Sequence, residues 1–245
     1  MNLGSCLAER LSHYLDLTDN EHAALDEIEV QERECKRGTI IRREQDRGRE
    51  LFVLRSGWLQ SHVVLGDGSR QIMRFFFPGD IIGLSSLALD HSPETIVTVS
   101  DATIAPFNRQ KLCDIFESHP RLAALIFTVT MAERVAMADR LASIGRTSAR
   151  ARVASILCEI FARNRVMLKG ELSELQLPLT QEDLGDATGL TAVHVNRMMR
   201  GLVDDGLIAR SGNKVGLIDE GRLAAEANFI DRYAKIDTSW LPPAR

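Results

Sequence analysis

Two textures of hydrophobic patterning divide the chain. From Cys35 to Phe107, short runs rich in β-branched and aromatic residues are interrupted by glycine-centred breaks. The runs cover residues 39–42, 51–55, 59–65, 71–77, 81–82, 96–99 and 103–107, and the breaks include Asp46-Arg47-Gly48, Ser56-Gly57, Gly66-Asp67-Gly68 and Pro78-Gly79-Asp80. Many short strands with frequent turn signals predict an all-β roll or barrel. Asp67-Gly68 between two alternating runs predicts a hairpin. Ahead of this region, Thr18 to Glu21 reads as a helix N-cap opening a short helix to about Glu29.

After Phe107 the period changes to that of helices. Asn108 is placed to cap a short helix through Phe116, and His119-Pro120 punctuates it. Residues 121–144 contain neither Gly nor Pro and read as one long helix. Its apolar positions Leu122, Leu125, Val129, Ala132 and Ala136 step by three and four, the spacing of a seam for pairing with a second copy; Met137, Leu141 and Ile144 continue on an adjacent phase. Gly145-Arg146-Thr147 is the expected hinge. Ser148 opens another helix through about Arg163, residues 172–179 look extended, and a last helix is expected from Gly221 to about Ile236.

The segment from Leu179 to Leu202 carries the most specific signal. Thr180 is an expected N-cap with Asp183 three residues on. Gly185 is small where a second helix would cross, Gly189 stands where a helix ends in a left-handed residue, and Thr191 caps the next helix. That helix has an inner face of Val195, Met198 or Met199, and Leu202. The spacing from Gly185 to Gly189 to Val195 is that of two steeply crossed helices, the helix-turn-helix layout. From Thr191 to Arg200 there is no acidic residue. Arg197 is the best base reader, with Asn196 and His194 next, because Arg and Asn suit bidentate contacts to guanine and adenine. Thr191 and Arg200 suit phosphates. Residues 207–210 and 215–218 around Ser211-Gly212-Asn213-Lys214 read as a β-hairpin wing, from which Arg210 and Lys214 would touch phosphates.

Charge changes this picture little. The net charge is −4, with −5 on residues 1–145 and +1 on 146–245, so DNA contact must come from a local surface and not from bulk charge. The four cysteines, Cys6, Cys35, Cys113 and Cys158, are scattered without a CxxC pair, which argues against a disulfide framework or zinc knuckle. They fit a reducing cytosol, with Cys158 the one considered as a redox switch. No apolar run approaches the roughly 20 residues of a membrane span, and charges near the N-terminus interrupt any signal-peptide pattern; a cytoplasmic location is expected. No GxSxG, HExxH, Walker or GxGxxG pattern is present, so an enzyme is not expected.

Taken together, Phe76-Phe77-Pro78-Gly79-Asp80-Ile81-Ile82-Gly83 and the 179–208 helix-turn-helix resemble the CRP/FNR family of transcription regulators over roughly residues 20–218, with the 191–197 helix most similar to FixK-like branches. The resemblance implies an α+β protein with three parts. An N-terminal β-roll (a cyclic-nucleotide-binding-like jelly roll) spans 1–118, a long dimerisation helix 119–145, and a C-terminal winged helix-turn-helix with an extension 146–245. It implies a homodimer on a palindromic site in double-stranded DNA, RNA polymerase as a partner, and Val193, Asn196 and Arg197 at base-reading positions; Thr180 is counted with the DNA-contacting set.

The departures shape the expected regulation. Cyclic-nucleotide binders of the family have Glu after the cassette glycine; here Leu84 follows Gly83. They have Arg at the end of the cassette; here it reads Ser92-Pro93-Glu94-Thr95. A cyclic phosphate would face Glu94 with no guanidinium, so tight cyclic-AMP binding is not expected. An iron–sulfur cluster is not expected either, because Cys6 and Cys35 stand alone. No metal or cofactor is assigned, and the effector is open. The alternative is a sensor of haem, nitric oxide or another small molecule, with His62, His91 and Cys113 as nominal ligand types.

Overall fold

The computed structural model describes residues 4–168 and 172–244. Its chain divides into two compact units, one of residues 1–68, 73–131 and 235–245, the other of residues 69–72 and 132–234.

The first unit holds a β-roll of two four-stranded sheets, in the orders β1-β8-β3-β6 and β2-β7-β4-β5. The strands are β1 (Arg33–Cys35), β2 (Ile40–Arg42), β3 (Glu50–Ser56), β4 (Leu59–Val64), β5 (Arg70–Phe76), β6 (Ile81–Ile82), β7 (Thr95–Thr98) and β8 (Ala102–Asn108). Strand β3 shows why the roll needs helices around it. Side chains alternate across a strand, and both faces of β3 are apolar. Phe52 and Leu54 enter the core between the sheets with Leu59, Phe76, Ile96 and Ile104. Leu51 and Val53 face the other way, with Ala105 and Phe107 of β8. That outer face is covered by α1 (Cys6–Leu11), α2 (Asp19–Asp26), α3 (Arg109–Ser118) and the first half of α4 (Pro120–Arg146). Thr18 and Glu21 form a full capping box on α2, and Asn108 caps α3.

This packing takes up part of the stripe expected to pair with a second copy. Leu122 and Leu125 are fully buried and Val129 is 5% exposed, all in the chain's own core with Leu7, Leu11 and Leu112. They are therefore spent on covering β3 and β8 and are not free for a second copy. Ala132 and Ala136 are half-buried. The large apolar residues that α4 leaves exposed are Phe127, Val135, Met137 and Leu141.

Strand β1 and helix α1 escape a reading by pattern because each is short. Helix α1 is held by charge. The Glu29 carboxylate accepts from the Ser5 hydroxyl and the Cys6 and Leu7 amides, capping the helix start, and also pairs with Arg55 at 2.8 Å. Arg10 reaches Asp80 at 2.6 Å, both side chains buried. Asp80 also accepts from the Phe77 amide, closing the Pro78-Gly79 turn, in which Gly79 has φ 82°.

In the second unit, α5 (Ala149–Leu168) packs against α6 (Gln181–Thr188), α7 (Ala192–Asp204) and α8 (Glu220–Ala227). A three-stranded sheet in the order β10-β11-β9 adjoins them, with β9 (Glu174–Gln176), β10 (Ile208–Ser211) and β11 (Lys214–Leu217). Two expected boundaries move. Helix α4 runs through Gly145 to Arg146, and the break falls at Thr147-Ser148, where the Ser148 hydroxyl caps the Ala151 amide. Helix α8 ends at Ala227 instead of Ile236, because Asn228 turns left-handed (φ 51°) and its amide takes the last carbonyls. Beyond it, Tyr233 stacks under the Arg163 guanidinium at 4.7 Å, and Arg163 pairs with Glu133 at 3.2 Å in a buried contact.

Removing one partner of a buried pair strands the other charge, at a cost of about 3–5 kcal/mol. Asp80→Ala removes the carboxylate that Arg10, Arg74 and the Phe77 amide share and is expected to cost that much, read as a lowered midpoint in thermal or urea denaturation. A midpoint within error of the parent would exclude Asp80 as a structural anchor.

Candidate nucleic-acid interface

Helices α6 and α7 are joined by a single tight turn, and local chemistry fixes it. Thr180 caps α6 in a full capping box: its hydroxyl accepts from the Asp183 amide while Asp183 accepts from the Thr180 amide. Gly189 ends the helix in the left-handed region at φ 67°. Thr191 caps α7 by accepting from the His194 amide. Gly185 permits the crossing, since a methyl group there would lie 2.5 Å from the Leu190 carbonyl oxygen. The Leu190 amide donates to the Gly185 carbonyl at 3.0 Å, so the backbones touch directly. Val195, Met199 and Leu202 form the buried face of α7, resolving the choice between the two methionines. Arg152 braces the turn from α5, donating to the Thr188 carbonyl, and Arg150 pairs at 2.6 Å with Asp205, the residue that ends α7.

The opposite face of α7 presents Thr191, Val193, His194, Arg197 and Arg200 to solvent, with Val193 79% exposed. Neither arginine has an ion-pair partner among the described residues, so both guanidinium groups keep their five donors free for an acceptor from outside. His194 folds back onto its cap, with Nδ1 3.2 Å from the Thr191 hydroxyl. Asn196 is half-buried, and its Oδ1 accepts from Arg210 of β10 at 3.2 Å. That bond fastens the hairpin to α7 and leaves the Asn196 amide NH2 to donate. Lys214 pairs with Glu174 of β9 at 2.5 Å, both about half exposed. The Thr180 hydroxyl is likewise engaged, donating to Asp183. The sequence-derived set thus falls into two groups: Thr191, Val193, His194, Arg197 and Arg200 together on one exposed helix face, and Thr180, Asn196, Arg210 and Lys214 already bonded within the chain. Reading by motif missed Arg150 and Arg152. Their one signal is the basic run Arg146 to Arg152 across the start of α5, and its meaning depends on which carbonyl and carboxylate the fold brings near.

The wing itself follows from its turn. Ser211 pairs with Lys214 across the hairpin, and Gly212 takes φ 60° at the first loop position, as tight hairpins require. Strand β9 adds to β11 as a third strand, with Lys214 opposite Gln176.

In the β-roll, the cassette positions are closed on themselves. Gly83 is left-handed (φ 88°) and opens a short 3-10 turn, Leu84–Leu87. The Ser92 hydroxyl donates to the Glu94 carbonyl at 2.7 Å. Of the nominal metal-ligand residues, His91 accepts from Arg47 at 3.1 Å and Cys113 is exposed. Burial pushes the Cys158 thiol up to about 12, and burial together with the neighbouring Glu29 pushes Cys6 up to about 11. The thiolate is the reactive species, so at neutral pH both are held as unreactive thiols.

Comparison with known proteins agrees with this layout. The cyclic nucleotide-binding domain model matches residues 32–119, and the Crp-like helix-turn-helix domain model matches residues 151–226. The nitrogen fixation regulation protein FixK of Bradyrhizobium diazoefficiens is 31% identical over 194 residues, 78% of this chain and 79% of that protein. The transcriptional activator protein anr of Pseudomonas aeruginosa is 25% identical over 214 residues, 87% of each chain. Among solved structures, FixK2 from Bradyrhizobium japonicum superposes with a TM-score of 0.71 at 26% identity, over 80% of this chain and 96% of that one.

Two outcomes are expected from these contacts. Gly185→Ala forces the crossing apart and should destabilise the protein by about 1–3 kcal/mol, the range for overpacking, measured as a drop in melting temperature. Titration with a thiol reagent at pH 8 should label exposed Cys113 quickly and leave Cys158 silent until denaturant is added; rapid native labelling of Cys158 would contradict its burial.

Proposed function

Because the chain belongs to the CRP/FNR family of transcription regulators, we propose that it binds a palindromic promoter site in double-stranded DNA as a homodimer and regulates transcription there with RNA polymerase. The observation that carries this reading is the acid-free outer face of α7, with Arg197 and Arg200 unpaired beside Thr191 and Val193. In a helix-turn-helix, that face enters the major groove. Arg197 reads a base edge, Val193 packs against a thymine methyl, and Thr191 and Arg200 contact phosphates. Asn196 contributes its free amide NH2 while holding Arg210. Lys214 and Thr180 reach a phosphate only by loosening their internal partners, so they are assigned weaker parts.

The dimer seam is proposed on the face of α4 that its own core does not use. Phe127, Thr130, Arg134, Met137 and Leu141 step by three, four, three and four, the period of a two-stranded coiled coil. Phe127 is 55% and Leu141 73% exposed, which is costly for a lone helix and is relieved by a second copy. Leu122, Leu125 and Val129 support the seam from behind, and Ala132 and Ala136 lie at its flank. The functional division into roll (1–118), dimer helix (119–145) and DNA-binding part (146–245) is retained on this reading, and a cytoplasmic location is proposed with it. The protein acts by binding and not by catalysis. Tight cyclic-AMP control is not part of the proposal, since Leu84 and Glu94 stand where recognition of the ribose and the cyclic phosphate would need an acid and a guanidinium.

Arg197→Ala is expected to weaken selective binding by about 1–3 kcal/mol, roughly five- to 150-fold, in mobility-shift titrations against genomic fragments, with the circular dichroism spectrum and the oligomeric state unchanged. An unaltered fragment preference would remove α7 as the reading helix.

A further inference from the structure

A recess in the β-roll carries a different kind of chemistry from the α7 face. It is a cavity of about 390 Å3 between the β2–β3 loop, the 3-10 turn and the start of α3, lined by Arg47, Gly48, Arg49, Ser86, Asp90 and Arg109, with Leu89 at its edge. Three guanidinium groups line it against one carboxylate, and none of the three has an ion-pair partner among the described residues. Arg47 uses one donor on the neutral acceptor His91.

A fourth cation backs the recess. Arg42 is 6% exposed, and its guanidinium donates to the Glu50 carbonyl. Its Nη1 finds no acceptor, and no carboxylate lies within ion-pair distance among the described residues; Glu50 and Asp46 act on it only from farther away. A buried charge without a counter-ion raises the potential of the surface next to it. That surface is Gly48, since a methyl group on Gly48 would lie 3.2 Å from Arg42 Nε and 3.3 Å from Nη2. Gly48 is not in the left-handed region, so its backbone conformation does not demand glycine. The contact that makes a larger side chain tight there is with Arg42. The Ser86 hydroxyl donates to the Gly83 carbonyl at 2.8 Å, so the donors that the recess offers are those of its arginines.

We propose that this recess is a binding site for a small, multiply charged phosphate compound of mononucleotide size or smaller. The volume lies in the range of small-ligand pockets, about 300–1,000 Å3, and guanidinium forks match phosphate oxygens two at a time. A flat acidic protein surface would not reach past the rim arginines to the glycine floor. The site is distinct from the cassette end, residues 92–95, which has no arginine. It does not depend on the DNA-binding reading.

The experiment is isothermal titration calorimetry of the full chain with inorganic pyrophosphate at physiological ionic strength, with sulfate as the competitor. Saturable binding at one site per chain is expected, weakened at least about tenfold in the Arg49→Ala/Arg109→Ala double variant. Both arginines are exposed, so the fold should persist, checked by circular dichroism. Gly48→Leu, which fills the floor, should abolish the binding heat, while Arg43→Ala, on the same loop but outside the recess, should leave it unchanged. The proposal falls if no saturable heat appears. It falls equally if the double variant binds as well as the parent, if Arg43→Ala loses as much as the double variant, or if sulfate displaces pyrophosphate at equal concentration.

Discussion

The second unit depends on a backbone contact with no side chain in it. At the crossing of α6 and α7, the Leu190 carbonyl occupies the space that a β-carbon on Gly185 would need, 2.5 Å away. Every other device there serves this approach: the capping box that fixes the start of α6, the left-handed Gly189 that reverses the chain, and Thr191 that restarts it. With the crossing fixed, Val195, Met199 and Leu202 must face inward, because residues three and four apart share one side of a helix. The solvent side then necessarily carries Val193, Arg197 and Arg200. The chemistry offered to solvent is the remainder left when the core has taken its share.

The β-roll is governed by a different economy, in which buried charges act as fasteners. Strands β3 and β8 are apolar on both faces, so the outer face must be roofed, and four helical segments do this. The smallest of them, α1, has only six residues and is too short to be stable alone. Glu29 caps its first turn and Arg10 ties it to Asp80, which in turn closes the Pro78-Gly79 turn. The turn after β5 is thereby linked to a helix near residue 10, and the roll holds a part of the chain that local propensity alone would leave loose.

The same roof explains how α4 divides its labour. Its first half gives Leu122, Leu125 and Val129 to the roll, and the apolar positions left exposed fall on another phase. A 27-residue helix has room for two apolar stripes, and hydrophobic spacing marks both without saying which is inward.

Periodicity and turn chemistry by themselves determined the strands from residue 39 onward, the Asp67-Gly68 hairpin, the α2, α3, α6 and α7 caps, the crossing of the helix-turn-helix and its wing. Each is encoded within a dozen residues by side-chain alternation, a cap or a positive φ. Only the tertiary structure decided which stripe of α4 is spent on the core, that Asn196 clasps Arg210, that Lys214 is paired with Glu174, that Arg150 and Arg152 brace the end of α7 and the turn before it, and that Arg42 lies beneath Gly48. These are pairings between groups distant in sequence or alternatives among equivalent local choices. A charged side chain carries no local record of its partner, because the energy that selects it exists only once the chain has brought the two together and removed the water between them.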